Sequence, residues 1–192
     1  MKKNILTLAL TLVFGFSATA TTPIDGETKK VDIEKSNVAW KAYKVTGSHN
    51  GVLSLTSGSL SFDEGKLTGG EFVVNMTTLS TTDLEGKSKS SLDGHLKSDD
   101  FFSTEKHPTS TLTFSTIKST GKNSYDVKGT LTIKGISKEI NLVISVYGSK
   151  ATATMKVDRT LYDIKYKSGN FFENLGDKTI YDEFDMVVDL VF

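Results

Sequence analysis

"INLVISVYGSKATATMKV", residues 140 to 157, decides how this chain folds. Ile140, Leu142, Ile144 and Val146 put an apolar side chain at every second position. After Gly148-Ser149 the alternation resumes with Ala151, Ala153, Met155 and Val157. A period of two sends successive side chains to opposite faces of a strand, so each run presents one apolar row. A short break containing glycine joins two such runs as an antiparallel hairpin.

The same pattern extends in both directions. Upstream lie Val38 and Trp40, Leu53 and Leu55, Leu60 and Phe62, then Phe72, Val74 and Met76. Leu112 and Phe114 follow, then Val127, Leu131 and Ile133. The chain closes with Phe184, Met186, Val188, Leu190 and Phe192. Turns are expected at Ser57-Gly58, Asp63-Glu64-Gly65-Lys66, Asn123-Ser124 and Lys134-Gly135. This predicts an all-β chain of eight or more antiparallel strands in a meander. Long strands with short hairpins favour an up-and-down barrel over a sandwich, because closure hides the sheet edges. An eight-stranded barrel either fills its interior or holds one small ligand.

One region, residues 81 to 108, is expected to break the meander. Leu84, Leu92 and Leu96 share a helical face, with Asp83 or Ser88 as candidate caps and Ser98 starting a second turn. The segment "DGHLKSDDFFSTEKHP" (93–108) packs two histidines, several acids and a Phe101-Phe102 pair into a stretch without strand pattern. Catalytic, metal-binding and covering roles are all open for it at this point.

Composition narrows the choice. The chain has 192 residues and no cysteine, which excludes disulfides, a thiol nucleophile and thiolate metal sites. Lys2 and Lys3, the apolar run from Ile5 to Phe16 and Ala18-Thr19-Ala20 read as a secretory signal cleaved after about Ala20. Residues 21 to 30 read as a linker, and 31 to 192 as one domain. Loss of the signal removes two lysines and no acid, leaving a net charge of −2, which argues against a nucleic-acid partner. Export without disulfides leans toward a bacterial periplasm.

At the level of motifs, "LDGHLKSDDFFSTEKHP" (92–108) resembles the hallmark of the YceI-like family of exported bacterial proteins. The similarity continues in 36–60, in "GGEFVVNMTTL" (69–79), in "GTLTIKGISKEINL" (129–142) and in "VDRTLYDIKYKSG" (157–169). It implies a lipocalin-like barrel of eight antiparallel strands with the helical excursion at about 81 to 108. It further implies an elongated apolar pocket for a polyisoprenoid, quinone-like or fatty lipid, with no catalytic activity and no other cofactor. His107 departs from the family, where an aromatic residue often precedes the proline.

The pocket is expected to draw on Trp40, Leu60, Phe62, Phe72 and Val74, and on Met76, Leu92, Leu96, Phe101 and Phe102. Phe114, Ile144, Met155, Phe184 and Met186 complete it, and His49, His95 and Arg159 are candidates for a head group. Each has a plainer role. Most buried phenylalanines only pack, so anchoring the excursion to the barrel is the preferred reading of Phe101-Phe102, with one ring in the core and the other reaching toward ligand. Asp158-Arg159 reads as a structural ion pair at a strand end. The histidines lack H-x-x-x-H or H-E-x-x-H spacing, which leaves loop hydrogen bonding as their ordinary use and gives no metal site. There is no G-x-S-x-G elbow, and the abundant serines and threonines suit outward strand faces, so no catalytic residues are assigned. The partner expected is a small lipid, with transient membrane contact for loading. Monomer and homodimer are both compatible. A filled barrel acting as a structural or stress-response module is the alternative.

Overall fold

The computed structural model describes residues 26–192. The expected signal, residues 1–20, and linker residues 21–25 lie outside the described residues. The strands are β1 (Glu27–Lys30), β2 (Asn37–Lys44), β3 (Gly47–Asp63), β4 (Lys66–Thr81), β5 (Thr109–Ser119), β6 (Ser124–Ile133), β7 (Ile136–Tyr147), β8 (Lys150–Asp158) and β9 (Ile180–Val191). A single α-helix among the described residues, α1 (Gly86–Lys97), joins β4 to β5.

Every strand pair is antiparallel. From β2 the ladder runs through β9, β8, β7, β6, β5 and β4 to β3, which pairs back onto β2. Strands β2 to β9 therefore close an eight-stranded barrel. The opening motif forms the predicted hairpin, with Val146 opposite Ala151 and Leu142 opposite Met155. Two predicted turns take left-handed backbone at both central positions, Glu64-Gly65 (φ 48° and 75°) and Lys134-Gly135 (φ 52° and 74°). That hand matches the twist of the strands they join.

Three expectations need correction. Residues 27 to 30 are not linker but β1, a ninth strand lying along the outer half of β3, with Glu27 opposite Phe62 and Lys30 opposite Ser59. Ser57-Gly58 is not a turn. Strand β3 runs through it, with a bulge against β4 between Leu55 and Ser57. Gly58 serves close approach instead: a Cβ there would lie 2.9 Å from Phe72 Cδ1 and 3.1 Å from Val31 Cγ2. Finally, the meander breaks twice. Besides 82–108, the connection 159–179 between β8 and β9 is irregular and begins with a 3-10 turn, Arg159–Tyr162.

Both breaks fall at the same end of the barrel. The opposite end, bounded by the β3–β4 and β7–β8 hairpins, is packed solid. Leu60 is fully buried there, and the Phe62 and Phe192 rings meet at 5.7 Å between centroids. The first break is a cover tied down at its edges. Asp93 Oδ1 accepts from Thr81 N (2.7 Å), and Lys89 Nζ donates to Ser80 Oγ (2.5 Å) and to Asp93 Oδ2 (2.6 Å). Neither Asp83 nor Ser88 caps α1. Its first flanking residue is Glu85, without a side-chain bond, and Asp83 accepts from Asn50 N (3.0 Å) instead. Ser98 ends the helix, its hydroxyl donating to His95 O (2.8 Å).

Candidate functional site: an apolar cavity under a two-part cover

Inward rows from all eight barrel strands surround a cavity of about 140 Å³. Its floor and walls are almost wholly hydrocarbon. Trp40, Phe72, Val74, Met76 and Phe114 line it, as do Ile144, Met155, Phe184 and Met186. The cover contributes Leu96, Phe101 and Phe102. The chain's three internal methionines, 76, 155 and 186, all stand in this wall. Methionine is flexible and polarizable, which suits a wall that adapts to its contents.

Local backbone explains how the Phe pair reaches inward. After α1, Phe101 N donates to Ser98 O (3.1 Å) and Phe102 N to Leu96 O (3.1 Å). Ser103 N also bonds Ser98 O (2.9 Å), and Ser103 takes a left-handed φ of 48°. Its hydroxyl bonds Asp99 Oδ1, whose other oxygen takes Lys106 Nζ at 2.6 Å. The acids of this motif thus fix a tight double turn, and Lys106 and Ser103 hold the Asp99 carboxyl below its ordinary pKa. Phe101, 6% exposed, is wedged edge-on against His95 and tilted against Tyr166. Phe102 is half-buried and meets Phe184. Both rings touch the cavity, so anchoring and lining are one role.

Three expected pocket residues stand elsewhere. Leu60 and Phe62 belong to the packed end, because β3 is long enough to run past the cavity floor. Leu92 faces outward from α1. With Leu84, Ser88, Ser91, His49 and His95 it borders a shallow surface groove.

The head-group candidates do not converge. His49 Nδ1 pairs with Asp83 Oδ2 (2.9 Å) and His95 Nε2 with Asp100 Oδ2 (3.1 Å), both on the outside. His107 lies near Gly135. Arg159 does reach the cavity wall, but its fork is occupied. Nε donates to Tyr181 O (3.0 Å), Nη1 to Ile164 O (2.7 Å), and Nη2 to Ile180 O (3.0 Å) and Asp182 Oδ1 (3.3 Å). Its ion-pair partner is Asp182, not the adjacent Asp158, which instead caps the 3-10 turn through Thr160 N (2.8 Å). Burial pulls the guanidinium pKa down, against the opposing pull of Asp182 and Asp158. In the same 3-10 turn, burial pushes the Tyr162 phenol up to about 12, with Asp158 adding to the rise.

Some wall residues escaped the sequence pattern. Leu79 lines the cavity although it stands three places after Met76. A bulge makes this possible: Ser54 pairs with Asn75, yet Val52 pairs with Ser80. Asn75 Oδ1 accepts from Thr77 N (3.1 Å) and Oγ1 (2.7 Å), which stabilises the extra loop. Ile180 enters in the same way, through a shift of β9 against β2 between Ala42 and Lys44, and Tyr181 stands at the mouth. Asn and Thr clustered at 75–78 are the only sequence sign of the first bulge.

Trp40 lies flat over Gly51, whose missing side chain makes the room. A Cβ there would fall 2.0 Å from Ser80 O and 2.6 Å from Trp40 Cζ2. The indole Nε1–H is buried and finds no acceptor among the described residues.

Fold and cavity together define a class: a closed up-and-down β-barrel with an apolar interior, open to one end beneath a two-part cover. Within that class the chain belongs to the YceI-like domain family, whose model matches residues 29–192. It is 33% identical over 91 residues to a UPF0312 protein of Azotobacter vinelandii, covering 47% of this chain and 45% of that one. With Protein YceI of Escherichia coli O157:H7 it shares 33% over 75 residues, 39% of this chain and 36% of that one. The chain thus spans less than half the length of these relatives. Among solved structures it is similar to Burkholderia cenocepacia BcnA, with TM-score 0.62 and 19% identity over 84% of this chain and 99% of that chain. A polyisoprenoid binding domain from Saccharophagus degradans, implicated in plant cell wall breakdown, matches with TM-score 0.55 and 15% identity over 84% and 97%. These two likenesses concern the fold.

Proposed function

We propose that this protein is an exported, non-enzymatic lipid-binding barrel that holds a long-chain isoprenoid or other amphiphilic lipid, as carrier, store or sensor. The observation that carries this is a hydrocarbon-walled cavity in which the one charged wall residue among the described residues, Arg159, is already bound to main-chain carbonyls and Asp182. Such a site attracts apolar groups and gives no purchase for polar chemistry. Burial of apolar surface is worth about 25 cal/mol per Å², so a prenyl chain gains on the order of 10 kcal/mol before ordering costs. The polyisoprenoid-binding neighbour supports the ligand class. The basic start and apolar run at residues 2–16 support export to a periplasm.

Size sets a condition. A cavity of about 140 Å³ is near the ~150 Å³ that accommodates benzene and below the roughly 300–1,000 Å³ of drug-sized sites. A long chain therefore enters by displacing adaptable wall groups, the three methionines and Phe102 foremost. The same small volume favours the second reading, a filled barrel serving as a structural module.

Native mass spectrometry of the exported protein, followed by organic extraction, separates the two. Lipid-bearing species, and an apolar dye displaced by prenyl lipids, are the expected result. Absence of extractable lipid together with no dye binding refutes the proposal.

A further inference from the structure

Five of the large apolar side chains on the surface gather at the covered end of the barrel. Phe171, Phe172, Tyr181, Leu161 and Val45 are each about half exposed. Their placement is common. Val45 N bonds Thr179 O (3.1 Å), Ile180 N bonds Lys167 O (3.0 Å), and Tyr181 both faces solvent and lines the cavity.

The Phe171-Phe172 tip is held in place. Phe171 N and Phe172 N both donate to Ser168 O (3.1 and 3.0 Å), and Ser168 is fully buried. Asn170 Nδ2 donates to Asp182 Oδ2 (2.7 Å), and the other oxygen of Asp182 takes Arg159. The buried arginine of the cavity wall thus braces a turn that points two phenyl rings at water. Large apolar side chains left exposed together at the cavity end are the kind of surface that takes a binding partner.

One lysine lies over a rim ring, and others stand in the neighbouring segments. Lys165 Nζ sits 5.2 Å from the Phe171 centroid, Lys44 stands opposite Ile180 where β2 meets β9, and Lys178 ends the short 3-10 turn just before β9. Aromatic rings with lysines beside them match a bilayer interface, where rings enter the head-group layer and ammonium groups stay with the phosphates. Asp163, Glu173 and Asp177 balance much of this charge, so insertion of the rings dominates.

We infer that this rim is a bilayer-docking surface: Phe171 and Phe172 enter the lipid interface and set the cavity mouth, at Tyr181, against the source of its ligand. The inference rests on the proposed lipid-binding function and adds the surface through which loading occurs.

The test uses the full chain and phosphatidylcholine–phosphatidylglycerol vesicles carrying a fluorescent prenyl lipid. The double variant Phe171→Ser, Phe172→Ser is compared with Val143→Ser, Val187→Ser, which removes exposed apolar groups from the barrel side. Expected results are vesicle binding and lipid extraction at least tenfold weaker for the rim variant alone. Uptake of the same lipid from a dilute ethanol dispersion stays unchanged in both. Extraction from vesicles that matches the parent overturns docking by this rim. So does a parent protein that takes up dispersed lipid yet ignores vesicles, which points to a protein partner. Failure of the parent to take up lipid from either source refutes the lipid-binding function itself.

Discussion

The ring of Phe102, carried by the cover, meets that of Phe184, carried by β9, edge-on at 89° with centroids 6.3 Å apart. This contact joins a segment outside the sheet to the barrel wall at the cavity, and Phe101 beside it is more deeply seated. Phe101→Ala is expected to cost about 3–5 kcal/mol in urea denaturation, as a core deletion does. Phe102→Ala is expected to cost about 1–2 kcal/mol, because a half-buried ring loses less, and to quicken dye entry in stopped-flow mixing.

Gly51→Ala places a methyl group where Ser80 O and the Trp40 ring already stand. Overpacking of this kind costs about 1–3 kcal/mol, and backbone rather than a flexible side chain blocks relief here, so the upper end is expected. Because Trp40 is the only tryptophan, a shifted emission maximum reports the displaced indole directly.

Arg159→Lys retains the charge and loses the fork that binds three carbonyls from two segments. The carbonyls of Ile164, Ile180 and Tyr181 lose partners. A loss of about 2–4 kcal/mol is expected, because buried carbonyls left without a donor cost about 1–3 kcal/mol each and the ammonium recovers only part of the fork. Hydrogen exchange should locate the added opening in 159–181 and leave β6 and β7 protected.

Asp93 ties α1 to β4. Desolvation raises its pKa, but hydrogen bonds from Lys89 and Thr81 outweigh that, and the folded-state value lies below the ordinary 3.8. Its contribution is therefore fully present above pH 3.8 and is lost as pH falls through the lower folded-state value. Amide exchange in α1 should accelerate in that acid window. Asp93→Asn should show the faster exchange at neutral pH and a flatter pH dependence.

The barrel was legible because its signal is local. Alternation at 140–157 and in its companions needs only the pleat of a strand and one apolar interior, and closure follows from hiding edges. Most cavity residues came with it, since any inward position level with the mouth or middle lines the space. Leu60 and Phe62 show the limit of the method. They alternate as faithfully as Phe72 and Val74, but height along the barrel axis has no signature in a two-residue period.

Sequence by itself determined the alternating strands of the barrel, though not β1 or the unbroken run of β3, together with the family, the inward rows and the irregular segment carrying Phe101 and Phe102. Only the tertiary structure decided that Arg159 braces backbone instead of greeting a head group. It alone decided that Leu79 and Ile180 turn inward through bulges, that Tyr181 stands at the mouth, and that two covers distant in the chain share that end of the barrel. Periodicity is a property of neighbours in sequence. Bulges, depth and convergence depend on which strand lies alongside, and that is set only when the barrel closes.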